Sequence, residues 1–147
     1  MSAQDVAKLR EETGAGMMDA KRALDSAGGD MEKAKQALLA AGLAKAEKKS
    51  DRVAGAGYLE TYVHAGRIGV LVEIHAETDF VTRGEVFREL SKNIAMQISA
   101  TAPETVEQLL AQPYIRDEAM TIEQFIKSVI AKVGENIQIA KFVRYQV

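Results

Sequence analysis

Cysteine is absent from the 147-residue chain, and long apolar runs are missing as well. Without cysteine there is no disulfide, no thiolate nucleophile and no cysteine-ligated zinc site. No stretch approaches the length needed to cross a bilayer, and the first residues lack the basic and apolar segments of an export signal. We therefore expect a cytoplasmic protein that does not engage a membrane.

The net charge is small, and histidines are few. The formal net charge is −2, which gives no general attraction to phosphates and argues against nucleic acid as a partner. The only histidines, His64 and His75, fall on predicted strands, where a surface position is ordinary. Glu73, Glu77 and Asp79 alternate with apolar residues, as on a half-exposed strand. We expect no catalytic residue, no metal and no cofactor, and therefore a protein that is not an enzyme.

Three short, alanine-rich helices are predicted for residues 1–42. Ser2 opens the first in a capping box, and apolar spacing indicates a second over residues 17–27. Asp30 caps a third helix, which Gly42 is predicted to stop. Because small side chains let helices approach closely, these segments predict a compact bundle.

An α+β unit is predicted for residues 56–147, after a charged linker at 43–55. Alternating apolar residues on both sides of a turn at 65–67 predict a β-hairpin. A helix with Val86 among its core-facing residues follows from 85 to about 100, and Pro103 suits the first turn of a further short helix. A capping box at Thr121 begins another helix, which Gly134 ends. The residues from Ile137 onward alternate as a strand, with most of its large apolar residues on one face. The predicted fold is therefore a three-helix bundle followed by a three-stranded antiparallel sheet with helices packed on one side.

The junction between a strand and a helix at residues 73–83 contains the most distinctive stretch of the chain. We call its four central residues the tip: Thr78, Asp79, Phe80 and Val81. An aromatic residue at such a junction is either an anchor buried in its own domain or a wedge held out for a partner.

Two segments resemble the signatures of one protein family. Residues 73–83 are similar to the second signature of elongation factor Ts, the guanine-nucleotide exchange factor of elongation factor Tu. Residues 9–24 resemble the first signature, with the sequence LREETGAGMMDAKRAL. The segment 130–137 is similar to the family's closing helix-to-strand passage, so the resemblance covers nearly the whole chain. It implies that the N-terminal bundle is of the ubiquitin-associated type.

The resemblance also implies a function and a set of contact residues. The protein would bind elongation factor Tu carrying GDP, loosen the nucleotide and leave when GTP binds. We call Arg10, Met17 and Met18 the N-terminal patch, and by resemblance they contact the nucleotide-binding domain of elongation factor Tu. The tip would reach the nucleotide site, with Phe80 as a wedge and Asp79 near the magnesium ion.

Several positions depart from the family pattern. His75 and Ala76 stand where Asn-Cys is common, and Gln97 stands where relatives have a histidine. Residues 100–112 are shorter than the long helical excursion of typical relatives. Val143 occupies the place of a cysteine through which some short relatives link their sheets, so that disulfide is impossible here.

A homodimer through the sheet is a further expectation. Apolar residues are predicted on both faces of the hairpin, more than the few helices can cover, and an uncovered apolar face is a partner site. The alternative to nucleotide exchange is a dimeric adaptor that binds a partner helix with the three-helix unit. Release of labelled GDP from elongation factor Tu distinguishes the two functions.

Overall fold

The computed structural model describes residues 2–147, and its helices and strands form the predicted mixed α+β fold. The N-terminal cluster contains α1 (Ala3–Thr13), α2 (Met17–Ser26) and α3 (Met31–Glu47). The elements that follow are β1 (Ala56–His64), β2 (Ile68–Ala76), α4 (Asp79–Thr82), α5 (Glu85–Thr101), α6 (Val106–Ala111), β3 (Pro113–Tyr114), β4 (Asp117–Thr121), α7 (Ile122–Val133) and β5 (Ile137–Gln146). Within the described residues, no helix is long and apolar enough to cross a membrane.

The N-terminal cluster is held by a small core in which alanine is prominent. The Ser2 hydroxyl accepts a hydrogen bond from the Asp5 N–H at 3.1 Å, which completes the predicted capping box of α1. Gly14 ends this helix in the left-handed region, at φ 70°. The fully buried side chains of the cluster are Leu9, Ala20, Leu24 and Ala34.

The predicted end of the third helix at Gly42 is wrong, because α3 continues to Glu47. Glycine within a helix costs only about 1 kcal/mol relative to alanine, and here it allows close packing. A Cβ on Gly42 would lie 3.4 Å from the Ala131 Cβ of α7. Ala46 is 2% exposed within the core of the second unit, and Glu47 pairs with Lys127 at 2.8 Å. The first five residues of the predicted linker, 43–47, therefore belong to a helix that packs against α7, while the division into two domains stays a prediction.

The predicted three-stranded antiparallel sheet is present, and its strand order is β1-β2-β5. One face of β2 is buried through Val70, Val72 and Ile74. Helices α5 and α7 cover this face, and the buried residues of α5 that contribute to the core include Phe87, Leu90, Ile94 and Ile98. In the part of the chain that the structure describes, no helix covers the opposite face of the sheet.

The predicted last strand is present as β5, but a β-bulge in it overturns the prediction that its apolar residues share one face. Regular alternation along the strand predicts that its large apolar side chains lie on one face, namely those of Ile137, Ile139, Val143, Tyr145 and Val147. Adjacent residues of β2 pair with Lys141 and Ile139, which leaves Ala140 as an extra residue. Since side-chain direction has a period of two, the extra residue moves Val143 and Tyr145 to the uncovered face, where both are exposed.

Three smaller features differ from the sequence-based expectation. Val86, predicted on the core face of α5, is exposed in the helix's first turn. Pro103 lies before α6, whose N-cap is Thr105. The short β3–β4 pair was not predicted, and its Tyr114 stacks on Phe125 of α7 with ring centroids 4.2 Å apart.

Candidate functional site

The tip lies just after β2, where Thr78 is the N-cap of the single helical turn α4 and the other three tip residues are its first residues. Its two apolar side chains have opposite environments. Val81 is buried in the main core, whereas Phe80 is 84% exposed. Phe80 is therefore held outside its own domain, and the buried-anchor interpretation is wrong.

Contacts on both sides fix the turn that carries Phe80. Before it, the Thr78 N–H and hydroxyl donate to the Glu135 carboxylate at 2.9 and 2.8 Å. After it, the Thr82 carbonyl accepts from the Arg88 Nε at 2.8 Å. The Arg88 guanidinium lies 4.3 Å from the centre of the Tyr58 ring, which connects this support to β1. The exposed aromatic ring thus stands on a backbone that is bound at both ends.

Charge near the tip is available to a partner. Asp79 pairs with Arg83 at 2.6 Å, and both side chains are largely exposed. Exposed ion pairs contribute only about 0–1 kcal/mol, so Asp79 can exchange this partner at little cost. Behind the tip, one Glu77 carboxylate oxygen is buried without a hydrogen bond among residues 2–147 and lies 3.7 Å from the Arg52 guanidinium.

The N-terminal patch surrounds the loop between α1 and α2. Met17 and Met18 are 60% and 62% exposed, so both are available for contact. Arg10 is exposed and donates to the Ala15 carbonyl across the loop at 3.4 Å. Flexible, polarisable methionine side chains adapt well to a partner surface.

The N-terminal patch and the tip both adjoin the C-terminal end of α7. Gly14, in the loop beside the patch, lies so close to Lys132 that an added Cβ would be 2.5 Å from its Cε. Glu135, which holds Thr78 of the tip, follows α7 after the left-handed cap Gly134. The fold therefore brings two segments that are distant in sequence to one end of one helix.

The polar residues considered for chemistry lie in structural contacts. The His75 Nε2 contacts the Glu73 carboxylate at 2.6 Å, and the His64 Nδ1 lies 2.9 Å from the Tyr62 hydroxyl. Among residues 2–147 there is no group of three or more side chains suited to hold a metal ion.

Gln97 has a role that the sequence did not indicate. Its buried amide donates to the Gln112 side chain and the Pro113 carbonyl at 3.0 and 3.1 Å, and accepts from the Ile115 N–H at 3.0 Å. These bonds connect α5 to the segment around β3. Gln97 thus organises the core rather than the exposed tip.

Comparison with known proteins identifies the family. A family model described as elongation factor TS matches residues 77–147. Elongation factor Ts of Desulforamulus reducens is 42% identical, with 99% of this chain and 88% of that protein covered. Elongation factor Ts of Nitratidesulfovibrio vulgaris is 40% identical, with 99% and 96% covered. The chain belongs to the elongation factor Ts family.

Members of the elongation factor Ts family differ in length around the part they share with this chain. The relative from Nostoc sp. is 49% identical over 146 residues, which is 46% of its own length, so the chain spans less than half of that protein. The alignment with the Desulforamulus relative extends over 192 positions, more than the 147 residues of this chain. That relative therefore contains residues inside the matched region that this chain lacks.

Sequence reasoning within the elongation factor Ts signatures selected the tip but missed its support. Glu135 is 57 positions from Thr78, and Arg88 lies in the core helix that follows. Arg88 lies in the amphipathic helix α5 and Glu135 in the turn after α7, and a charged side chain is ordinary at both kinds of position. Only the three-dimensional structure relates them to the tip.

Proposed function

We propose that this protein is a guanine-nucleotide exchange factor: it binds elongation factor Tu carrying GDP and promotes GDP release so that GTP can bind. Such a factor makes and breaks no covalent bond. It would work on a protein partner in the cytoplasm, and the slight negative charge gives no reason to expect binding to nucleic acid.

One observation carries the proposal: Phe80 is exposed on a turn whose backbone is bound at both ends. Aromatic side chains that enter a partner's pocket contribute strongly to interfaces, and a fixed backbone reduces the ordering cost of binding. A rigid exposed aromatic is thus suited to displace elements of another protein. Family membership supports elongation factor Tu as that protein.

Asp79 would act beside Phe80, at the magnesium ion that accompanies bound GDP. Magnesium requires near-ideal octahedral oxygen coordination, so partial loss of its ligands weakens its hold on the phosphates. Asp79 already holds an exposed cation, Arg83, and can exchange it for groups of the partner. By linkage, the factor must weaken GDP binding by the same ratio by which GDP weakens binding of the factor.

Release of labelled GDP from elongation factor Tu tests the proposal. The rate is measured at increasing concentrations of this protein, which gives a maximal rate and a half-saturating concentration. We expect strong, saturable acceleration. No acceleration at any concentration would overturn the function. Repeating the titration without magnesium should give a smaller acceleration, because loss of the ion alone already speeds release.

A homodimer through the sheet is the second part of the proposal. The uncovered side of the sheet presents exposed apolar residues that we call the open face: Leu59, Val63, Leu71, Val143 and Tyr145. Leu71 and Val143 are paired across adjacent strands, so the apolar surface is continuous between β2 and β5. A second copy of the chain, presenting the same surface, would cover it.

The open face is also the observation that favours the alternative function, a dimeric adaptor that binds a partner helix through the three-helix unit. The adaptor function requires the N-terminal patch and the dimer but not the exposed Phe80. A protein that dimerises and binds elongation factor Tu without accelerating GDP release would support the adaptor.

A further inference from the structure

The turn that follows α7 is hydrogen-bonded to the base of the tip by the side chain of Glu135. Both carboxylate oxygens of Glu135 are used: one accepts from the Thr78 backbone N–H at 2.9 Å and the other from its hydroxyl at 2.8 Å. Thr78 is the N-cap of α4, and its own side chain makes no capping hydrogen bond to that helix. The Thr78 hydroxyl is therefore committed to Glu135.

The same turn is itself fixed by its neighbours. Gly134 adopts the left-handed conformation, at φ 77°, and its N–H donates to the Ile130 carbonyl at 2.8 Å. The next residue, Asn136, is buried and donates to the Arg52 carbonyl at 2.9 Å. Glu135 thus projects from a rigid turn, and its position is determined by the end of α7.

We propose that Glu135 is a positioning residue for nucleotide exchange, which fixes Thr78 so that Phe80 is presented in one orientation. This inference rests on the proposed function of the tip. A helical turn of four residues is too short to be stable alone, because helix nucleation is unfavourable. A bidentate carboxylate at its first residue supplies the missing constraint before any partner binds.

A positioning role differs from a purely structural role in what it changes. The core at this end of the molecule is formed by buried apolar side chains, among them Val81 and Phe87, and Glu135 is not one of them. Loss of the Glu135 carboxylate should therefore leave that packing intact. The half-buried Glu135 itself makes no other hydrogen bond or ion pair among residues 2–147. Its removal should therefore lower the maximal rate of GDP release and leave the melting temperature nearly unchanged.

The test compares Glu135→Ala, Glu135→Gln and the control Glu118→Ala in the GDP-release titration. Glu135→Ala should lower the maximal rate about tenfold and change the half-saturating concentration less than about threefold. Glu135→Gln should recover most of the rate, because its amide can accept from the Thr78 N–H and donate to the hydroxyl oxygen. Glu118 is exposed on β4 without a side-chain partner in the described residues, so its variant should match the parent.

Amide hydrogen exchange at Thr78 gives a readout that does not involve elongation factor Tu. In the parent the Thr78 N–H should be protected, and in Glu135→Ala it should exchange rapidly while the amides of α5 keep their protection. If the parent itself fails to accelerate GDP release, the proposed function fails, and the exchange data still decide whether Glu135 fixes the tip.

Three outcomes would overturn the inference. The first is full-rate GDP release by Glu135→Ala. The second is an unprotected Thr78 amide in the parent. The third is a Glu135→Gln variant as slow as Glu135→Ala although both melt like the parent, since bonding geometry would then not be the cause. If Glu135→Ala fails to fold, Thr78→Val replaces it, and it should lower the maximal rate by removing one of the two bonds.

Discussion

Phe80 and Phe87 are the same residue type in opposite environments, and they form a matched pair for mutagenesis. Phe80 is 84% exposed, whereas Phe87 is fully buried and meets Tyr58 edge to face at 5.8 Å. We expect Phe80→Ala to melt like the parent and to slow maximal GDP release by at least tenfold, the equivalent of about 1.4 kcal/mol. Phe87→Ala should lose about 3–5 kcal/mol of unfolding free energy. Thermal melting and GDP-release kinetics on both variants check the prediction.

Two other outcomes for Phe80→Ala would contradict this prediction. A large fall in the melting temperature of Phe80→Ala would mean that the ring is packed in solution. Parent-like melting together with a full exchange rate would mean that the ring has no part in nucleotide release.

Glu12 and Lys35 form an ion pair that joins α1 to α3 and makes the stability of the bundle depend on pH. The hydrogen bond from Lys35 holds the pKa of Glu12 below its ordinary value of 4.5. A lowered pKa in the folded state stabilises the protein at pH values above the unfolded pKa, and this contribution is lost as the pH falls through the folded pKa.

The difference in unfolding free energy between the parent and Glu12→Gln should therefore be largest near neutral pH and should shrink below about pH 4.5. Urea denaturation at a series of pH values measures it. The control is Glu11→Gln, because Glu11 is a neighbouring exposed glutamate that forms no ion pair among residues 2–147. A difference that stays constant down to pH 3 would show that the ion pair does not form.

At the scale of elements, the first turn of α2 presents two methionines whose loss should affect binding more than exchange. Each is solvated in the free protein, so Met17→Ala with Met18→Ala should leave the melting temperature unchanged. Interface hot spots each contribute about 2 kcal/mol or more, so the half-saturating concentration should rise at least tenfold while the maximal rate changes little. Leu39→Ala, at a partly exposed position of α3, serves as the control. A lowered maximal rate with unchanged half-saturation would assign these methionines to nucleotide displacement instead.

Elements with a strong periodic pattern could be predicted from the sequence. The hairpin, α5 and the capped α7 have regular apolar spacing and clear end signals, and all three are confirmed. The failures have specific causes. Gly42 was predicted to end a helix, but in the structure it lets α3 pack closely against α7. A short stretch of sequence carries no information about that neighbouring helix. The extra residue Ala140 interrupts a period of two without any glycine or proline to mark it.

The candidate site was also predictable only in part from the sequence. Thr78 and Phe80 were selected from the sequence because a family signature contains them, and the exposure of Phe80 agrees with the wedge interpretation. The support from Glu135 and Arg88 could not be predicted, because each contact depends on how distant elements pack. Sequence patterns specify faces of helices and strands, whereas hydrogen bonds across the fold depend on the packed arrangement.

At the scale of the whole molecule, the open face should control self-association. A lysine in the middle of an apolar dimer interface would leave a buried, unpaired charge, so Leu71→Lys should give monomers at micromolar concentrations where the parent is a dimer. Val53→Lys, at an exposed apolar position outside the sheet, adds the same charge and should not change the assembly state. Sedimentation velocity measures both. A parent that is monomeric throughout would refute dimerisation in the absence of a partner.

The unbroken course of α3 past Gly42 has a consequence for how two surfaces act on one partner. A flexible linker would let the tip sample a large volume after the N-terminal patch had bound, and its effective concentration would fall as the linker lengthened. Helix α3 packs against α7, and the loop with Gly14 touches Lys132 at the end of the same helix. If the patch and the tip bind one partner as proposed, docking of the patch would make contact by the tip an intramolecular event, with little freedom in its distance and angle. The position of both surfaces at the end of α7, and not only the affinity of either surface, would then limit which partners both can contact at once.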